Sequence, residues 1–472
     1  MSQALHLILA SVLLLMGVLT LRQVIRNGYS FDLFQWAVMV FCFYGGLGVW
    51  VVFAYDSFQL PEVPEQPLLV AYFGVCLFLI GILAIRRLAR HRQNLDGNYV
   101  KLIMRFAKPN IPIMIWAIFI VTWLVRLKMA VDYNLFFSGT WSAERVLLMP
   151  SWLRTADALV NSLNAGLLFW LCSYQMHKKW RSFPAWGMLL MEMLWFFIRG
   201  RRWIMTFGLI VILAICVYKD RINFKSIGVA TVILASVLFV LMPLFQATRL
   251  TFGEKSLNTG AIETTVTAIG KACEGMWEDQ YEEGRRLRDL HREELKYRPL
   301  VFHYSWEIAE ALESSDPMFG WALVRDVLHA CRFVIPTPVF DYKKELGDLP
   351  GSEQLIQRHF GWAEFDTEGT WPAVALADFG LLGCFLYGMI FGLILWVFEL
   401  FISYSMLRAP HLATIVFGTA FYSFAFPDVG PETVLNALRA AVVVMLAFWA
   451  LGGPKAFRKS TAAECFVPGR MS

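Results

Sequence analysis

Apolar runs of 16 to 30 residues, broken by short charged or Pro/Gly-rich stretches, recur along the chain and set its class. About 20 apolar residues span a bilayer as a helix. Lipid offers no water to satisfy exposed backbone groups, so the spans are expected to be helices. The pattern predicts eleven: 6–21, 33–54, 67–85, 110–127, 156–176, 183–198, 203–218, 226–247, 373–402, 411–426 and 434–452. The expected fold is an all-α polytopic membrane protein in three segments: spans 1–8 in 1–248, a large, mostly helical loop in 249–371, and spans 9–11 with a tail in 372–472. The first run has no basic n-region before it and no small-residue cleavage site, and is expected to be a retained helix rather than a signal peptide.

Charge adds an orientation. With the N-terminus outside, the inner loops collect 19 Lys and Arg, among them Arg86, Arg87, Arg90, Arg92, Lys101, Arg105 and Lys108. The loop 55–66 holds none, and 249–371 holds 14 basic against 22 acidic residues. The positive-inside bias therefore predicts an outer N-terminus, an outer 249–371 loop and an inner C-terminus, in a bacterial inner membrane. The formal charge of +5 belongs to the inner loops and points to no nucleic-acid partner. Eight cysteines show no C-x-x-C spacing; only Cys273 and Cys331 fall in the outer loop, which allows at most one disulfide there. No internal repeat and no Gly-rich nucleotide loop is present.

Against that bias stands "FFIRGRRWIM", with Arg199, Arg201 and Arg202 in an outward-facing turn. The flanking spans of about 15 residues reach roughly 22–24 Å, less than the ~30 Å hydrocarbon core. The guanidinium groups are thus expected below the outer surface, where an arginine costs at least ~2.5 kcal/mol unless it faces a cavity or partner. Glu192, two turns before Arg199, is placed to orient it. Two readings stay open. The arginines snorkel to headgroups, or they form bidentate contacts with a phosphate or pyrophosphate.

The outer loop begins with "EGMWEDQYEEGRRLRDLHREELKYR", whose Glu282/Arg286 and Arg285/Asp289 pairs read as a solvated helix. "SDPMFGWALVRDVLHACRFVIP" predicts a helix capped by Asp316 with Pro317 at its first position. Arg325, His329 and Arg332 follow at i, i+4 and i+7, while Trp321, Leu323, Val324, Val327, Leu328 and Phe333 are expected on the membrane or the bundle. Residues 337–370 read as irregular chain up to about Trp371. They offer Lys343, Lys344, Arg358, His359, Glu364, Asp366 and Glu368, and Asp378 follows; a carboxylate here or His359 is a candidate general base. Arg249 closes span 8, and Arg439 sits two turns into the last span beyond Asp428 and Glu432. An intramembrane arginine is a functional candidate by default.

These features resemble the bacterial O-antigen polymerases, in the branch of oligosaccharide repeat-unit polymerases. The match rests on about eleven helices, an outer arginine turn near mid-chain and one large late loop. "FVIPTPVFDYKK" followed by "GTWPAVALADFGLLGCFLYGMIFGLIL" is similar to the family's Ile-Pro…Lys segment and its Phe-Gly-x-x-Gly helix start. Where such loops often read Ile-Pro-Arg, this one has Ile335-Pro336-Thr337, with Arg332 as a substitute. The related O-antigen ligases carry a histidine about ten residues before the corresponding glycines; here Glu368, Gly369 and Thr370 stand there. The resemblance implies transfer of a glycan from undecaprenyl pyrophosphate to another lipid-linked repeat unit on the periplasmic face. It implies no metal, cofactor or nucleotide sugar, and a flippase and a chain-length regulator as partners. In that reading Arg199, Arg201, Arg202, Arg249, Arg325, Arg332 and Arg439 hold pyrophosphate, and Glu368, His359 or Asp366 is the base. A ligase-like transferase and a lipid-linked glycan transporter are the alternatives; a transporter would carry repeat symmetry and polar broken helices at the midplane.

Overall fold

A computed structural model describes residues 2–26, 32–55, 60, 63–93, 113–133, 302–334, 351–362, 370–408 and 410–424, with scattered positions within 150–195 and 434–446. Among the described residues there are helices and turns and no strand. The helices are α1 (Ser2–Arg26), α2 (Leu33–Tyr55), α3 (Glu65–Gln93), α4 (Ile113–Asp132), α5 (His303–Ala311), α6 (Trp321–Val334), α7 (Ser352–His359), α8 (Trp371–Arg408) and α9 (Pro410–Ser423). Among the described residues, four stretches are long and apolar enough to cross a membrane: Gln3–Val24, Leu33–Trp50, Glu65–Ala89 and Trp371–Ser403. The chain forms two compact units, Met1–Ala107 with Lys296–Ser472, and Lys108–Leu295.

In the first unit α1 and α2 are antiparallel: Gly17 lies against Cys42 and Phe43, and Gly46 against Leu14 and Ala10. One end of the unit is fixed by charge. Asp32 accepts a hydrogen bond from Gln35 N at 2.7 Å, and Gln35 Oε1 accepts from Asp32 N at 3.3 Å, a reciprocal capping box at the start of α2. Arg86 Nε donates to Asp32 Oδ2 at 2.8 Å, and Glu399 Oε1 accepts from Leu33 N at 2.9 Å. The start of α2, the end of α3 and the far part of α8 therefore meet there. At the opposite end α5 is seated by aromatic packing: His6 lies edge-on to Trp306 and Tyr72, Tyr72 meets Phe302, and the Phe302 ring fills the space over Gly45.

The longest interface joins α3 to α8. Gly74 faces Cys384, Gly81 faces the backbone of Phe385, Gly388 and Met389, Gly388 faces the backbone of Phe78, and Gly392 faces Ile82 and Ile85. Positions rise together along both helices, so the two run parallel. Small residues let backbones approach closely where lipid gives helices little hydrophobic reason to associate.

α8 is not one rod. Phe379 (φ −142°, ψ 18°) and Gly380 (φ 60°, ψ −146°) break it into a short arm, 371–378, and a long arm, 381–408. The arms fold back on each other: the Trp371 ring packs on Phe391 and Tyr387, and Cys384 Sγ lies 3.7 Å from the Pro372 carbonyl. Gly383 admits the Ala375 carbonyl where a side chain would stand. The expected single span 373–402 is thus a hairpin. Its reversal needs glycine, because the Gly380 dihedrals lie in a region that a Cβ closes to other residues. The long arm, 28 residues or about 42 Å, still suffices to cross a bilayer. Its outward face carries an apolar stripe, Leu382, Leu386, Ile390, Leu393 and Val397, which Phe379 at the turn begins.

In the second unit α4 shows a similar outward stripe, Ile120, Val121, Leu124, Leu127 and Val131. Its opposite face buries Phe119, Trp123 and Met129, and Leu167, Leu168, Met188 and Trp195 belong to the same unit's buried set.

Candidate functional site

The end of the first unit that carries α5 also carries the tip of the α8 hairpin, and the tip is where the expected polar helix is fastened. The Ala377 and Asp378 carbonyls, orphaned where the short arm stops, accept from Met318 N at 2.9 Å and Phe319 N at 2.8 Å. The buried Asp378 carboxylate accepts from Ala322 N at 2.9 Å and Leu323 N at 3.0 Å, both in the first turn of α6. Tyr387 OH donates to Asp378 Oδ2 at 2.6 Å. Asp378 does the work of an N-cap from more than 50 residues away, and its charge suits the positive end of the helix dipole.

This overturns the expected cap. Asp316 does not cap α6, which starts at Trp321, because Phe319 (φ 52°) and Gly320 (φ 92°) turn through the left-handed region first. Asp378, one of the candidate bases, is committed to holding α6. Asp378→Ala would strand two buried N–H groups and the Tyr387 hydroxyl, at about 1–3 kcal/mol per lost partner. The expected result is faster hydrogen exchange across α6 with that of α1 unchanged. Asp378→Asn, which keeps one acceptor oxygen, should fall between.

The chain expected to be irregular up to Trp371 contains α7, with Glu353 in its first turn and Arg358 in its last, each sign matched to the dipole, and with His359 as its final residue. α7 packs on α6, with Ser352 N donating to Asp326 Oδ1 at 3.3 Å, and Tyr304 OH of α5 lies 3.5 Å from the Glu353 carbonyl. His359 Nε2 lies 2.8 Å from the Asp316 carbonyl oxygen. A carbonyl only accepts, so Nε2 carries the hydrogen and Nδ1 is the nitrogen able to take a proton. Arg325, half-buried, and the position of Arg332 lie on α6, and His359 ends α7, the helix packed on α6. Arg439 is a half-buried helical position in a separate stretch. Arg199, Arg201, Arg202, Arg249, Asp366 and Glu368 lie outside the described residues, as do Lys343, Lys344, Glu364, Asp428, Glu432 and Cys273.

Sequence reasoning missed Glu307 on α5. Burial first, and the neighbouring charge of Glu310 second, raise its carboxyl above the usual range. A carboxylate shifted toward neutrality is a better proton acceptor than an ordinary surface one. No motif marks it, since its shift comes from the packing of α5 on α3 and α8.

The second unit holds a buried polar network. Arg126 Nη1 donates to Glu192 Oε1 at 2.6 Å, with both side chains fully buried. The same oxygen accepts from Trp123 Nε1 and Asn164 Nδ2, each at 3.0 Å, and Thr122 Oγ1 lies 2.8 Å from Asn164 Oδ1. The guanidinium carbon lies 6.0 Å from the Trp123 ring centroid and 5.3 Å from that of Trp195. Glu192, expected to orient Arg199, pairs with Arg126, and Arg199 lies outside the described residues. The signal was present: Arg126 and Glu192 are the only charged residues in the runs 110–127 and 183–198.

Compared with known proteins, the chain matches no family model, no curated relative and no solved structure.

Proposed function

We propose that the chain is a glycan polymerase of a bacterial inner membrane, resembling the oligosaccharide repeat-unit polymerases. It would cross the bilayer eleven times and present 249–371 to the periplasm. The observation that carries the reading is the hairpin at Phe379–Gly380. The Phe-Gly-x-x-Gly segment behind the resemblance is a built element, and its Asp378 fastens the arginine-bearing α6 over the end of a bundle of apolar helices. The parallel course of α3 and the long arm of α8 agrees with their places as third and ninth crossings. The distribution of basic residues supports the orientation.

In this reading the acceptor is a sugar hydroxyl of one lipid-linked repeat unit, and the donor is a glycan on undecaprenyl pyrophosphate. The hydroxyl oxygen bonds to the donor's anomeric carbon, the bond from that carbon to the pyrophosphate oxygen breaks, and the leaving group keeps the electron pair. The hydroxyl proton passes to a base among Glu368, Asp366 and His359, with Glu307 added by its environment. Guanidinium groups among Arg199, Arg201, Arg202, Arg249, Arg325, Arg332 and Arg439 stabilise the developing charge.

The test is product length. Purified protein supplied with lipid-linked repeat units should yield longer lipid-linked chains without nucleotide sugar. Arg199→Ala, Arg201→Ala and Arg202→Ala should each leave the single unit unextended. Unchanged chain lengths in all three reject the assignment. Long polymer that stays on the carrier in a null strain indicates a ligase, and movement of substrate across vesicles without extension indicates a transporter.

A further inference from the structure

Helix α6 turns an apolar face outward. Phe319 and Trp321 are 68% and 67% exposed, and Val324, Val327 and Leu328 are exposed beside them. Positions 321, 324 and 328 recur at helical spacing, so the exposure follows one face rather than scattered sites. Ala322 on the opposite side is fully buried, and Leu323 is half-buried. A patch of this kind on a protein surface marks a contact with another apolar phase.

Three observations identify that phase. The N-terminus of α6 is pinned by Asp378 to the tip of the α8 hairpin, so the helix begins where an apolar span ends. The patch is continuous with the outward stripe of that span: a side chain added at Gly320 would touch the Phe379 ring, at 3.2 Å, and Phe379 is the first member of the stripe that continues through Leu382. Positions 325, 329 and 332, occupied by Arg, His and Arg, follow one edge of the same helix, beside the apolar face. An apolar face bordered by arginine and histidine positions, led by a tryptophan, is the pattern of a helix lying in the plane of a bilayer interface.

We propose that α6 is an interfacial membrane helix, with Phe319, Trp321, Val324 and Leu328 in the boundary between acyl chains and headgroups. The edge that carries Arg325 lies at headgroup height. The inference needs only that the apolar helices cross the bilayer. It is independent of the glycan chemistry and survives if that reading fails.

The test uses the full chain in vesicles of phosphatidylethanolamine and phosphatidylglycerol, with the native cysteines replaced and one nitroxide attached at Val324→Cys or Leu328→Cys. Both positions are exposed, so a cysteine there removes little packing. Glu313→Cys, in the exposed turn after α5, is the water-facing reference. At 324 and 328 collisions with oxygen, which concentrates in lipid, should exceed those with a water-soluble nickel chelate several-fold, and the order should invert at 313. Nickel dominance at 324 and 328 would place the face in water and overturn the proposal. Protection from both reagents would place it against protein, a second copy or another partner, and would overturn it equally.

Discussion

Gly388→Leu is expected to yield no monodisperse protein in detergent, and Gly388→Ala to give a folded protein of markedly lower melting temperature. A Cβ at Gly388 would sit against the Phe78 carbonyl oxygen, with Phe78 C and Cα at 2.8 and 2.9 Å, and all three are backbone atoms of α3. A flexible side chain could swing away, but a helix backbone cannot. The reciprocal position agrees: a Cβ at Gly81 would meet the Phe385 carbonyl oxygen, with Met389 N at 2.8 Å. Even one methyl group must push the two helices apart. The separation would loosen the neighbouring contacts at Gly74 and Gly392 as well. Overpacking of a core costs about 1–3 kcal/mol where side chains can yield; with backbone on the other side, alanine should reach the top of that range and leucine exceed it. Gly187→Ala is the control, being a helical glycine whose Cβ would meet nothing within 4 Å among the described residues. There the higher helix propensity of alanine should raise stability by up to about 1 kcal/mol. Equal melting temperatures for Gly388→Ala and Gly187→Ala would show that α3 and α8 do not touch as described.

Why the first three spans were legible and the hairpin was not follows from what hydropathy measures. The runs 6–21, 33–54 and 67–85 became α1, α2 and α3 with their ends extended by a few residues, because a lipid-facing helix has no alternative way to satisfy its backbone. The run 373–402 is just as apolar, but hydropathy carries no sign for direction. Phe379 and Gly380 reverse the chain without adding a polar residue. A 30-residue run where ~20 suffice was the available clue. α6 was found by its pattern, yet its start was placed too early. Asp316–Pro317 has the composition of a cap, and only the fold reveals that Asp378 supplies the cap instead. α7 is eight residues long, too short for its period to stand out from the surrounding Pro and Gly. Of the candidate site, the polar positions of α6 could be read from spacing. The packing of α7 on α6 could not, since that depends on how two short helices are pinned to a hairpin.

The buried pair in the second unit shows the same limit and gives the other large expected effect. Arg126→Met should cost about 3–5 kcal/mol, because it leaves the Glu192 carboxylate buried with two neutral donors and no cation among the described residues. Glu192→Gln should cost less. The glutamine oxygen can still accept from Trp123 Nε1 and Asn164 Nδ2, and the guanidinium keeps the faces of Trp123 and Trp195. The double variant Arg126→Met with Glu192→Gln removes both charges and preserves the two neutral hydrogen bonds. Replacing a buried ion pair by uncharged groups of similar size is often neutral, so the double variant should be more stable than Arg126→Met alone. Melting temperatures of the four proteins in one detergent decide the matter. If the pair is buried as described, the two single losses will not add, and the second substitution will restore much of what the first removed. Additive losses would instead place the two residues in separate environments, each with its own access to water.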